Sequence, residues 1–183
     1  MNRRGEKALQ WRKSTIGLSL LATLTLLFGA WFLYQKLEVE SPLRGEIGQL
    51  QSATLNNLEI GRDKIQIDLT VTKPDVFPQE YRELMDTASK LAGEKQVVIR
   101  VGNKSESMED IWQSGQFVFT EAMDLHQYSR IPQLVNEWKN SHQLDEVSAL
   151  MDDANIYIYM KKGTEDFYAI VPRSEEKEVT AHA

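Results

Sequence analysis

The pattern of apolar and polar positions changes period several times along the chain, and in one stretch it has no period. From 14 to 35 the sequence reads STIGLSLLATLTLLFGAWFLYQ, without a charged residue. About 20 helical residues at 1.5 Å rise cover a hydrocarbon core of roughly 30 Å, so this run predicts a transmembrane helix over 14–35. Trp31, Phe32 and Tyr34 cluster at its far end, where amphipathic rings favour the headgroup boundary. A helix buried in a soluble core seldom runs so far without charge. A cleaved signal peptide has a shorter apolar core, and Phe28 stands here where cleavage wants a small residue.

Residues 36–54 contain Pro42, Gly45 and Gly48 without clear periodicity and read as a tether. A short run at 55–60 and a longer one at 64–72 follow, separated by Gly61, Arg62 and Asp63. In the longer run Ile65, Ile67, Leu69 and Val71 alternate with Gln66, Asp68 and Thr70, the period of a half-buried strand in a hairpin. Pro78 suits a first helical turn, and Tyr81, Leu84, Met85, Ala88, Leu91 and Ala92 make one apolar face that Gly93 ends. Val97, Ile99 and Val101 alternate as a third strand.

Ser107 with Asp110 resembles a capping box, ahead of a helical stripe of Ile111, Trp112, Gly115, Val118, Phe119, Ala122 and Met123. Phe117 lies nearly opposite that stripe. Ser129 is placed to cap a third helix with Pro132 in its first turn and Ile131, Leu134, Val135 and Trp138 inward. Three short strands follow, at 146–151, 156–160 and 167–171, separated by turns at 152–155 and 161–166. They predict an antiparallel meander.

The order ββαβ, then αα, then βββ predicts an α+β fold: a mainly antiparallel sheet with helices packed on one face. The domain plan is a basic tail at 1–13, the transmembrane helix at 14–35, the tether at 36–54, an α+β domain at 55–172 and a flexible polar tail at 173–183. On element order alone the layout is loosely similar to small envelope modules of the BON-like and sporulation ring-building types. That resemblance implies a ring- or complex-forming role.

Charge gives the anchor a direction. Arg3, Arg4, Lys7, Arg12 and Lys13 precede the apolar run, opposed only by Glu6. The positive-inside bias then keeps the N-terminus cytoplasmic and places the C-terminal domain outside. Removing those residues from totals of 21 basic and 27 acidic leaves 16 against 26, an acidic domain unsuited to nucleic acid. The chain has no cysteine, which excludes thiol catalysis, thiolate metal sites and disulfides. A disulfide-free outer domain of this size leans toward a bacterial envelope.

Candidate chemistry is thin. His126 and His142 end two predicted helices on their apolar stripes, where a packed imidazole suits the negative helix terminus. His182 lies in the tail. Asp152, Asp153 and Asn155 lack calcium-loop spacing and read as a hairpin turn. No nucleophile elbow, phosphate loop or dinucleotide fingerprint is present. Asn103, Lys104 and Ser105 form a glycosylation sequon. No catalytic, cofactor or metal residue is therefore assigned. Phe117, Tyr157, Tyr159 and Tyr168 are the candidate interaction residues, the tyrosines only if their sheet face is open to solvent.

The functional expectation is a non-enzymatic, membrane-anchored interaction domain of a bacterial cell envelope. The bilayer would contact residues 14–35, and other envelope proteins or further copies of the chain would be its partners. The alternatives are the ring-forming module and an envelope-polymer hydrolase working through carboxylates.

Overall fold

Long apolar and basic side chains are good helix formers, and they dominate the first 37 residues of the chain. The computed structural model describes residues 3–173. Its first helix, α1 (Arg3–Tyr34), takes in most of the basic flank as well as the apolar run. One helical stretch in this region is long and apolar enough to cross a membrane. The large apolar side chains from Leu18 to Tyr34 are exposed rather than packed against protein. Thr23 and Thr25 return their hydroxyls to the carbonyls of Ser19 and Leu21, 2.9 and 2.8 Å away, so neither needs water.

The expected tether is mostly helical. A π-helical stretch, Gln35–Glu40, leads into α2 (Ser41–Gln49). Pro42 has no N–H to return to the preceding turn, and the wide turn sits directly upstream of it. Compact packing divides the chain after Gly45. Residues 174–183, which make up nearly all of the expected tail and include His182, lie outside the described residues.

In the second unit the alternation at 64–71 becomes one buried face. Strands β1 (Ala53–Ile60) and β2 (Lys64–Val71) form the antiparallel hairpin, closed by the Gly61 N–H on the Lys64 carbonyl. Ile65, Ile67, Leu69 and Val71 are buried. Helix α3 (Phe77–Ala92) ends at Gly93, whose φ of 62° suits glycine. It returns the chain so that β3 (Gln96–Val101) pairs parallel to β2, with Ile65, Ile67 and Leu69 opposite Val97, Ile99 and Val101. Glu80, in the first turn of α3, accepts the Gln51 and Ser52 N–H groups and the Ser52 hydroxyl, fastening the chain just before β1.

Helix α4 (Glu106–Asp124) is followed by a 3₁₀ turn, Tyr128–Arg130, and by α5 (Ile131–His142). The expected caps are displaced. Ser105 occupies the N-cap position of α4, while the Ser107 hydroxyl donates to Glu165. Ser129 lies inside the 3₁₀ turn and caps nothing. Strands β4 (Glu146–Met151), β5 (Asn155–Lys162) and β6 (Glu165–Pro172) form an antiparallel meander.

The expected sheet is thus two three-stranded sheets, β1-β2-β3 and β4-β5-β6, and one of the four pairings is parallel. Nor do the helices share one face. Ile156, Ile158, Met160 and Phe167 join α4 and α5 in one core. Tyr157 and Tyr168 point the other way and meet Tyr81 and Phe77 of α3. Five consecutive buried residues, Ile156 to Met160, mark β5 as covered on both sides. Alternating isoleucine with tyrosine had left both of its faces largely apolar.

Candidate functional site

The chain leaves β3 through Gly102 and Asn103, and here the two sheets meet. Lys104 forms a single antiparallel bridge with Phe167. The Tyr168 N–H donates to the Asn103 carbonyl at 2.8 Å, and the Ser105 N–H to the Asp166 carbonyl at 3.1 Å. Asn103 itself is buried. Its Oδ1 accepts the Val71 N–H at 2.7 Å, and its Nδ2 donates to the Val71 carbonyl at 3.0 Å and to Asp166 Oδ2 at 2.7 Å. One side chain therefore fastens the end of β2 to β6. Its amide is fully engaged, so the sequon at 103–105 is closed to glycosylation in the folded domain.

Away from this clasp β3 and β6 form no further bridges with each other. Beside it is a cleft of about 340 Å³, lined by Ile99, Arg100, Val101, Lys104, Tyr168 and Ile170. Backbone parity tells what the walls offer. The N–H groups of Gln96 and Gly102 donate to Asp63 and Leu69, so even-numbered residues of β3 hydrogen-bond toward β2. The N–H and C=O groups of Val97, Ile99 and Val101 then point away from β2 and have no partner among the described residues. On β6, Tyr168 bonds outward to Asn103, so the groups of Ile170, two residues on, face outward as well and are likewise unpartnered.

The side chains divide by face. Ile99 and Val101 stand in register with buried Ile67 and Leu69, and Tyr168 stacks edge-on against Phe77 at 5.3 Å. Arg100 and Lys104, of opposite parity, are exposed and make no ion pair among the described residues, the Asp68 carboxylate in register with Arg100 being taken by the Asn57 and Gln66 amides. The cleft therefore combines open strand edges, an apolar wall and two unpaired cations in an acidic domain.

The residues singled out from sequence are placed differently. Phe117 is 87% exposed on α4 and has no aromatic neighbour among the described residues. Tyr157, Tyr159 and Tyr168 are buried at 1, 6 and 1% exposure, so their face is covered and they form no open platform. Burial pushes all three phenols up, Tyr159 to about 12, with nearby carboxylates adding to Tyr157 and Tyr159. His126 is exposed rather than packed, with φ 55° and its ring edge-on to Tyr128. His142 is half-buried, and its carbonyl accepts Lys162 Nζ.

The Asp152 carboxylate is spent on its own turn. Its Oδ1 accepts the Ala154 and Asn155 N–H groups, and its Oδ2 accepts the Tyr157 hydroxyl at 2.7 Å. Burial alone would raise this carboxyl, but those hydrogen bonds, with the Arg82 charge, hold it below its ordinary value.

Sequence reading missed the cleft. Gly102 and Asn103 break the alternation of the third strand, and nothing local shows that residues 103–105 pair with a strand more than 60 positions later. The one available signal was Arg100 and Lys104 flanking a strand end in a domain that is acidic overall. No protein-family model, curated protein or solved structure matches this chain.

Proposed function

We propose that this chain is a membrane-anchored interaction domain held outside the cytoplasm of a bacterial cell, working through the cleft between β3 and β6. The observation that carries the reading is the pair of unpartnered strand edges facing one cleft. Exposed edges template pairing with another chain, and proteins usually blunt them. Here β1, at the far side of its sheet, has a bulge between Leu55 and Asn57, whereas β3 runs regularly. The anchor is supported by the long apolar helix, its exposed side chains and the basic residues before it. The acidic, cysteine-free composition supports an exported bacterial domain.

Two measurements on the full-length protein in cells test this. Protease added outside intact protoplasts should remove the chain after about position 36 and leave the N-terminus protected. Protection of the C-terminal domain reverses the orientation. A photo-crosslinking residue at exposed Gln96, at the start of β3, should give discrete adducts with an envelope protein, while the same group at exposed Gln113 on α4 should not. Equal labelling from both positions removes the cleft as the working surface. Adducts between copies of the chain would favour the ring-forming reading, in which the open edges join protomers.

A further inference from the structure

We infer that the β3 edge takes up an extended, acidic segment of a partner protein as an added strand. The inference rests on the cleft being the binding site and goes further by naming the chemistry of what enters. Three features of the cleft select the occupant. The outward N–H and C=O groups of Val97, Ile99 and Val101 ask for another extended backbone, since a helix cannot satisfy alternate groups along a strand. The half-buried Ile99, Val101 and Ile170 form an apolar wall on the side of the buried Ile67 and Leu69, with Tyr168 buried behind them. Arg100 and Lys104 lie on the opposite parity and lack ion pairs among the described residues.

A strand added here presents its side chains alternately to the two sides. Apolar residues at every second position meet the wall, and the residues between them meet the cations. Those intervening residues must be acidic, because the cleft's charge is positive while the chain after residue 35 is acidic overall, with 16 basic against 26 acidic residues. Like charge over most of the surface would repel an acidic ligand elsewhere and leave this as its favoured landing place.

The test uses the full chain in lipid nanodiscs with three blocked peptides of about seven residues, enough to span 97–101 at roughly 3.3 Å per residue. One alternates valine with glutamate and one alternates valine with lysine. The third is the glutamate peptide with a central proline, which cannot complete a ladder. The glutamate peptide should bind and slow amide exchange at Val97, Ile99 and Val101, and the other two should bind roughly tenfold or more weakly. Arg100→Glu combined with Lys104→Glu should reverse the preference toward the lysine peptide. Both side chains are exposed, so circular dichroism should report an unchanged fold.

Equal binding of the glutamate and lysine peptides, indifference to the charge reversal, or protection at another strand each overturns the inference. A doubled particle mass with β3 amides already protected also overturns it, by making a second copy the occupant. Gln96 crosslinks to a partner segment without acidic residues would overturn this inference and leave the proposed function standing. Loss of the crosslinks altogether would remove both.

Discussion

Asn103 and Val71 exchange two hydrogen bonds, the side-chain amide of one standing in for the backbone of a neighbouring strand beside the other. The Asn103 carbonyl meanwhile takes the Tyr168 N–H, so one residue closes the junction between the two sheets. Asn103→Leu keeps a similar volume but leaves the buried Val71 groups unpaired. A fragment spanning 46–173 should fold cooperatively, and this substitution should cost it about 2–4 kcal/mol in a urea melt. A loss below about 0.5 kcal/mol would mean that the junction contributes little to stability.

Gly115 faces the Trp138 indole across the α4–α5 contact, and a Cβ there would overlap the ring. Trp138 has little room to yield, being buried and edge-on to Trp112 at 6.1 Å. Alanine normally improves a helix interior by up to about 1 kcal/mol over glycine. Overpacking costs roughly 1–3 kcal/mol, so Gly115→Ala should be destabilising on balance. A raised melting midpoint would show that Trp138 rotates away freely.

Phe117 and Phe119 are two residues apart on α4 and differ sharply in burial, 87% against 2% exposed. Phe119→Ala should cost about 3–5 kcal/mol, because it opens a cavity beside Trp112. Phe117→Ala should change stability by no more than about 0.5 kcal/mol. Trp112→Ala should fall between them, since Trp112 is only half-buried while touching Phe119, Trp138 and Phe167. Chemical denaturation of the three variants ranks them directly.

Stability should fall at both ends of the pH scale for opposite reasons. Burial raises Glu80, but its bonds from Ser52 and Gln51 and the Lys73 charge outweigh burial and hold it low, as the turn bonds do for Asp152. Their contribution is complete above the ordinary carboxyl values of 4.5 and 3.8 and drains away as pH falls through the folded values. Glu80→Gln and Asp152→Asn should flatten the acid limb of stability against pH. Burial raises Tyr81, Tyr157, Tyr159 and Tyr168, so their contribution holds below the ordinary value of 10.0 and is lost as pH climbs through the raised ones. Phenolate absorbance should then rise together with loss of structure. Early ionisation of all the tyrosines in a folded domain would contradict that burial.

Periodicity carried the local structure well where one face is buried. The alternation of Ile65, Ile67, Leu69 and Val71 and the stripe of Ile111, Gly115, Phe119 and Ala122 both became buried faces. It failed where both faces are covered, because Ile156 and Tyr157 are each apolar enough to be interior and their alternation looked half-exposed. Spacing alone puts Val118 on the inward stripe, yet it is 37% exposed. The candidate site was hardly legible. It depends on a register between Lys104 and Phe167 that no local pattern encodes, and on hydrogen-bonding directions that appear only once β3 has chosen β2 as its neighbour.

The single bridge between the sheets also bears on the order of folding. The β4–β6 meander closes through short turns, whereas β2 and β3 must wait for an intervening helix, a slower search through more distant contacts. Docking of the two halves at Asn103 should therefore be among the last events. The cleft beside it would exist only after that step. Until then the β3 edge, set by its pairing with β2, lacks the wall that Ile170 supplies, so a nascent chain would offer a partner only part of the binding arrangement.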